Sequence, residues 1–500
     1  MYTLNMVKKI TFLIAVVIFA FTSQVLSQDG YEINVNIDGF ENDTLLLGYQ
    51  YADKQYIKDT ILRDGDGNFT FAGDELLDCG MYLIIMPPEN KYFQMVIGEQ
   101  EQKFTLSTNI SNPVKEAKFQ GSTENDIFYK YLNYISTQSH KAQELNKQLQ
   151  EKKEQNKDAS DVQTKLDALN EEVKEYQLRL IADHPNSMAA KIVKASRDVD
   201  VPDFGTSEEA RRKRFYYLRE HWFDNVNLSD PCLIRTTLVH NKVMTYIEKL
   251  TVQHPDSISR TVDFIIEKAK HNDQTKRNWL STLLNRYVNS KVIGMDAVYV
   301  HIVMNYYAKG ETPWVNDEKL LEIVDNAVKT EPLLIGKIAP EISIPTLDIE
   351  ATLIAMEKEE DEQKKFVLGE KVSLHKLDSP YKILFIWAPD CGHCKKSMPA
   401  MISFYNDYKD KGVELYAICH QNYKSTPACA EFIKERPEML QWINVTDPFF
   451  RSRYQSLYNV KSTPQIYILD DTNEILFKRL GADQLGSVMD DLFKREKINK

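Results

Sequence analysis

Five hundred residues, 43% of them hydrophobic and 27% charged, suffice for about three domains and exclude collagen, mucin-like stalks and wholesale disorder. Lysine and arginine number 62 against 73 aspartates and glutamates, and a net charge of −11 lacks the basic footprint of a nucleic-acid binder. Six cysteines are too few to staple a disulfide scaffold of this length, but enough for one catalytic pair.

Lys8 and Lys9 precede the apolar run Ile10–Phe21, and Val25-Leu26-Ser27 offers a cleavage site. That is the layout of a secretory signal over residues 1–27. As a helix the apolar run would rise only ~18 Å against a ~30 Å bilayer core, so cleavage is expected rather than anchoring. No later stretch is long and apolar enough to span. The mature chain is therefore expected in the periplasm or cell envelope, without a stable membrane span, where disulfides persist.

Residues 28–122 read as a small all-β domain. Tyr31–Ile37 alternates polar and apolar side chains, the period of a half-buried strand. Phe69–Phe71, Met81–Met86 and Tyr92–Ile97 read as further strands. The turn Asp64-Gly65-Asp66-Gly67-Asn68 lacks the twelve-residue loop and terminal glutamate of a calcium site, so it reads as a hairpin turn. Cys79 stands alone and is expected to be a small buried hydrophobe.

Residues 123–330 become helical. Val162, Leu166, Leu169, Val173, Tyr176 and Leu180 advance by alternating fours and threes, one apolar stripe on a helix. Leu145 and Leu149 lie on an earlier helix, and the charged stretch between predicts an antiparallel helical hairpin with a solvated tip. His184-Pro185-Asn186-Ser187 and His254-Pro255-Asp256-Ser257 each predict a helix end, a proline stop and a new N-cap. No second ligand follows either histidine at helical spacing, so no metal site is expected. Trp222, Trp279 and Trp314 are expected in the core, and Cys232 is isolated.

From residue 331 to 500 strand-like and helix-like runs alternate, which predicts an α/β domain. Tyr381–Trp387 is nearly all apolar, as a central strand buried on both faces should be. A helix over Cys394–Lys411 ends at Gly412, Val413–Cys419 is a second buried strand, and Thr426-Pro427 opens another helix. Gln465–Leu469 and Glu474–Leu480 form a closing hairpin before a last helix, Asp483–Lys494. The chain is thus multidomain: an N-terminal all-β domain, a central all-α region and a C-terminal α/β domain.

The chemistry sits in Trp387-Ala388-Pro389-Asp390-Cys391-Gly392-His393-Cys394, where a buried strand turns into a helix. The two-residue spacer lets both sulfurs meet at the first helical turn, and the positive helix end stabilises the first thiolate by at most ~2 kcal/mol. His393 and the nearby lysines can add to this. Zinc would need a second Cys-x-x-Cys or paired histidines, and Cys419 and Cys429, ten residues apart, do not form one. Those two either form a second disulfide or remain apart, one buried and one free.

This segment resembles the active site of the thioredoxin superfamily, in particular the exported TlpA/ResA-like thiol–disulfide oxidoreductases. Ile335-Gly336-Lys337-Ile338-Ala339-Pro340 resembles that family's opening, helical Pro399 follows the pair, and Ser462-Thr463-Pro464 resembles its cis-proline loop. The resemblance covers about residues 333–498 and implies a C-terminal thioredoxin fold. It makes Cys391 the exposed nucleophile and Cys394 the buried resolving thiol. Pro464 would be cis and would place the Thr463 backbone to pair with a substrate strand, with Trp387 flanking the site. No cofactor beyond a redox-active Cys391–Cys394 disulfide is implied. The partners would be protein thiols or disulfides and an upstream redox partner.

Two positions depart from the family. Phe385 stands where many thioredoxins bury an aspartate, and Ser397 where many TlpA-like proteins place a glutamate. That leaves water, His393 or an acid such as Glu414 to take the Cys394 proton. The Gly392-His393 spacer resembles that of protein disulfide isomerases, about 90 mV more oxidising than thioredoxin. It predicts that His393 stabilises the thiolate. A peroxiredoxin-like thiol peroxidase is the alternative, although Ala388 occupies the position of its threonine. In a third reading the β and helical domains recognise a partner and the redox pair is secondary.

Overall fold

The computed structural model describes residues 30–499, with side chains through residue 495. The predicted signal peptide lies outside the described residues. The described residues divide into two compact units, one holding residues 30–251 together with Ile265–Lys276, the other Val252–Phe264 and residues 277–499.

In the first unit, β1 (Tyr31–Asp38), β2 (Thr44–Tyr51), β3 (Lys54–Leu62), β4 (Phe69–Gly73), β5 (Gly80–Met86), β6 (Lys91–Ile97), β7 (Lys103–Asn109) and β8 (Lys118–Gln120) form two four-stranded sheets. Their orders are β4-β1-β7-β8 and β3-β2-β5-β6. Alternation decides what each strand buries: Ile33 and Val35 of β1 and Phe69 and Phe71 of β4 share a core with Leu45 and Leu47 of β2 and Ile84 of β5. Each such side chain contributes roughly 1.5–3 kcal/mol by leaving water. Asp64 Oδ1 accepts from the N–H groups of Asp66 (3.0 Å) and Asn68 (2.7 Å), so the acidic turn holds itself together as a hairpin turn.

Cys79 is no lone hydrophobe and Cys232 is not isolated: the two form a disulfide across 153 residues. Gly80 makes the approach possible, since a Cβ there would lie 2.4 Å from the Arg235 Cβ. Arg235 then pairs with Asp78 at 2.5 Å, and the Ala52 N–H donates to the Ile234 carbonyl at 2.8 Å.

The predicted helical hairpin is α1 (Thr123–Glu154) and α2 (Ser160–Asp183). Ser122 caps α1 by accepting from the Asn125 N–H. Val162, Leu169 and Leu180 of the stripe are buried, and the Tyr134 and Tyr176 rings stack 3.9 Å apart between the two helices. Next come α3 (Met188–Ser196), α4 (Glu208–His221), α5 (Thr237–Lys249), α6 (Pro255–Ala269), α7 (Asp273–Val288), α8 (Asp296–Ile302) and α9 (Asp317–Thr330). The two His-Pro motifs differ: Ser187 caps α3, whereas Pro255 is already the first residue of α6, so Ser257 lies inside that helix. Trp279 is buried, while Trp222 and Trp314 are half-buried rather than core residues. No described helix is long and apolar enough to cross a membrane.

The second unit carries the remaining elements: β9 (Ser343–Asp348), α10 (Ile349–Lys358), β10 (Val367–Ser373), β11 (Tyr381–Trp387), α11 (Gly392–Tyr408), β12 (Val413–Cys419), α12 (Pro427–Lys434), β13 (Ile443–Thr446), α13 (Tyr454–Leu457), β14 (Gln465–Asp470), β15 (Ile475–Lys478) and α14 (Leu485–Asn499). They build a seven-stranded sheet ordered β10-β9-β13-β12-β11-β14-β15. Every residue of β11 is buried, because helices cover both faces. Ile383, Phe385 and Trp387 meet Met398 and Met401 of α11 on one face, and Leu384 and Ile386 meet Tyr458 on the other.

A buried ion pair closes this core. Lys478 of β15 pairs with Asp296 of α8, their side chains 4% and 7% exposed, and donates to the Leu333 carbonyl at 2.5 Å. Burial pulls the Lys478 pKa down, and Asp296 opposes that. Lys478→Ala strands the carboxylate and is expected to cost about 3–5 kcal/mol, read as an earlier urea transition. The double replacement of Asp296 by leucine and Lys478 by methionine is expected to recover most of the loss.

Candidate functional site

Strand register assembles the site. β12 runs parallel to β11 and ends with Cys419 opposite Trp387, while β14 runs antiparallel and begins with Gln465 opposite Ile386. Three segments therefore leave the sheet at one edge: the loop carrying Cys391, the loop starting at His420 and the loop ending at Pro464. They enclose a cleft of ≈ 420 Å³ lined by Cys391, His420, Asn422, Lys461, Ser462 and Thr463, among others. The Thr463–Pro464 bond is cis.

Cys391 is the N-cap of α11, with extended backbone (φ −79°, ψ 117°), and its Sγ accepts from the Cys394 N–H at 3.3 Å. The Sγ–H group lies 3.3 Å from the Thr463 carbonyl, to which it donates. Both thiols are unbonded, so the structure holds the reduced form of the pair; Cys391 is half-buried and Cys394 buried. Their environments push the two thiols apart. Burial raises the Cys391 pKa, but hydrogen bonding with the side chains of Thr463 and Cys394 and with the backbone N–H groups of Cys394 and His393 outweighs it, leaving the thiol below its ordinary value. Burial, reinforced by the Cys391 thiol, pushes Cys394 up to about 12.

The other sequence-predicted residues fall in different places. The His393 side chain is exposed, and the residue reaches Cys391 through its backbone N–H. Gly392 is exposed too, and a Cβ there would meet no atom within 4 Å, so sterics do not require glycine in the spacer. Trp387 is fully buried, with its ring 5.1 Å from Phe432. It therefore underlies the corner from the core instead of flanking the cleft, and its carbonyl accepts the His420 N–H at 2.7 Å. Glu414 is not near the thiols. It lies opposite Lys382 in the strand register at the other end of β12, five residues before Cys419, or roughly 16 Å along the strand, and its carboxylate accepts from the Tyr405 hydroxyl at 3.3 Å.

The structure decides one alternative that the sequence left open and adds one residue that the sequence reading missed. Cys419 and Cys429, left open above, form a disulfide that ties the end of β12 to α12. His420 lines the Cys391 cleft, its Nδ1 2.7 Å from the Tyr454 hydroxyl; burial lowers its pKa and favours the neutral imidazole. Only strand register signals it: the residue after Cys419 must emerge beside the residue after Trp387.

Fold and site together define a thioredoxin-like domain with a dithiol at its strand-to-helix corner. Residues 335–478 match the model described as the AhpC/TSA family, and residues 31–128 and 133–329 match two domains of unknown function, DUF4369 and DUF5106. Among curated relatives, the chain is 27% identical over 113 residues to the thiol-disulfide oxidoreductase ResA of Bacillus cereus, an overlap of 23% of this chain and 62% of that protein. It is 29% identical over 113 residues to the thioredoxin-like protein YneN of Bacillus subtilis, again covering 62% of the relative and 22% of this chain. The chain thus spans less than two thirds of the length of these relatives. A thioredoxin-like protein from Bacteroides caccae aligns over 58% of this chain and 98% of its own, at 17% identity and a TM-score of 0.43.

Proposed function

We propose that this chain is an exported thiol–disulfide oxidoreductase acting on protein substrates through Cys391 and Cys394. The observation that carries the reading is the split between two thiols at one corner, an accessible one favouring the thiolate and a buried one holding its proton. The Cys391 thiolate attacks a substrate disulfide, forming a mixed disulfide and expelling one substrate thiolate. Cys394, on losing its proton, attacks the Cys391 sulfur, forms the Cys391–Cys394 disulfide and frees the second substrate thiolate. Two electrons pass to the substrate, and the reverse sequence oxidises a dithiol.

A relative named as a thiol-disulfide oxidoreductase supports this reading. Export is supported by the basic and apolar start of the chain and by two further disulfides, which persist outside the cytosol. The Thr463 carbonyl beside the sulfur is taken as the edge that pairs with substrate backbone. His420, neutral and in the same cleft, becomes the candidate for receiving the Cys394 proton. We take residues 28–122 and 123–330 as two recognition domains before the catalytic one. The peroxidase alternative finds no arginine among the residues lining the Cys391 cleft and Ala388 where its threonine belongs.

Alkylation tests the split directly. With iodoacetamide on the reduced full chain, Cys391 is expected to react with a midpoint below that of an ordinary thiol, while Cys394 stays protected until about pH 12. Equal reactivity of the two at neutral pH would contradict the reading.

A further inference from the structure

Within the second unit, the Cys391 cleft meets another cleft at a single loop. This second cleft, of ≈ 520 Å³, is walled on one side by Asp296, Asn326 and Thr330 of α8 and α9 and on the other by the cis-proline loop and Arg479. Lys461 and Ser462 line both clefts, and Pro464 carries the wall from one to the other. A polypeptide whose disulfide lies against Cys391 can continue from one cleft into the next without leaving the surface.

We propose that this second cleft seats the client polypeptide beside its reacting disulfide and selects acidic segments there, with Lys461 and Arg479 as the receiving cations. The proposal rests on the thiol–disulfide reading and adds to it a substrate class.

Charge carries the argument. Three cationic side chains line the cleft, Lys461, Lys478 and Arg479, against the single carboxylate of Asp296. Asp296 is already paired with Lys478 inside the wall. That leaves Lys461 and Arg479, both exposed and without a carboxylate partner among the described residues, in a chain whose net charge is −11. The Lys461 ammonium donates to the Asn326 side-chain oxygen, which holds it in the wall while consuming no charge. Asn326 is itself fixed by donating to the Tyr299 hydroxyl at 3.0 Å. Arg479 keeps φ at +59°, the left-handed region that long side chains adopt uncommonly. It is close enough to influence the ionisation of both Tyr467 and Lys478, so its charge acts inside the cleft.

The test uses the full chain, reduced, and two peptides that carry the same internal disulfide flanked by glutamates in one and lysines in the other. Exposed charge pairs are weak, so the glutamate peptide is expected to be reduced about threefold to tenfold faster in kcat/KM at low ionic strength, with the advantage collapsing in high salt. Arg479→Glu is expected to reverse the order. Equal rates for the two peptides, a preference for lysines, or a glutamate preference unchanged by Arg479→Glu would overturn the proposal. Should that variant not fold, the wild-type preference and its salt dependence decide alone. Uncharged hydroxyethyl disulfide separates the two readings. If the wild type cannot reduce it, the thiol chemistry itself fails; if it is reduced while the peptides are not discriminated, only the acidic-client assignment fails.

Discussion

Cys391→Ser is expected to lower disulfide exchange to the uncatalysed background, and Cys394→Ser to leave the protein covalently joined to its clients. Serine is a good N-cap and keeps an acceptor for the Cys394 N–H, so the first variant removes the nucleophile without removing the helix start. Its hydroxyl cannot replace a thiolate whose pKa hydrogen bonding has lowered. In the second variant the attack still occurs, but the buried thiol that would expel the substrate is gone, so mixed disulfides accumulate and appear by mass. An insulin-reduction assay checks the first expectation. A Cys391→Ser variant that reduces insulin at the wild-type rate would remove the mechanism.

Replacing Cys79 and Cys232 together by serine is expected to cost the first unit about 5 kcal/mol, the chain-entropy value for a loop of this length. The bond closes 153 residues, more than the span of the β sheets, and so restricts the unfolded chain strongly. The unfolding transition that reports the β sheets should fall to lower denaturant, while the Cys391 alkylation profile in the second unit should not move. A loss below about 1 kcal/mol would mean that the reduced chain already holds its ends together through Arg235 and Asp78.

How much of this was legible depended on whether the signal was local. β11 could be read to the residue because burial on both faces writes a continuous apolar run, Tyr381–Trp387. The helical hairpin was legible because one buried stripe repeats along α2. β3 was invisible: Lys54–Leu62 is exposed along almost its whole length and carries no alternation. Nothing in the sequence could join Cys79 to Cys232, or Asp296 to Lys478, because those contacts are made by tertiary packing between segments that carry no mutual pattern. At the site the two sulfurs were legible from spacing alone. The position of Trp387 beneath the corner and of Glu414 at the far end of its strand required the register, and so did the emergence of His420 into the cleft.

The most direct test of the central claim is a thiol–disulfide titration of the full chain against a dithiol buffer, quenched by alkylation and mapped by mass. The account predicts one two-electron step that converts Cys391 and Cys394 together, at a potential above thioredoxin's of about −270 mV, while the Cys79–Cys232 and Cys419–Cys429 bonds stay closed. Independent alkylation of Cys391 and Cys394 at every potential, with no disulfide ever linking them, would contradict it.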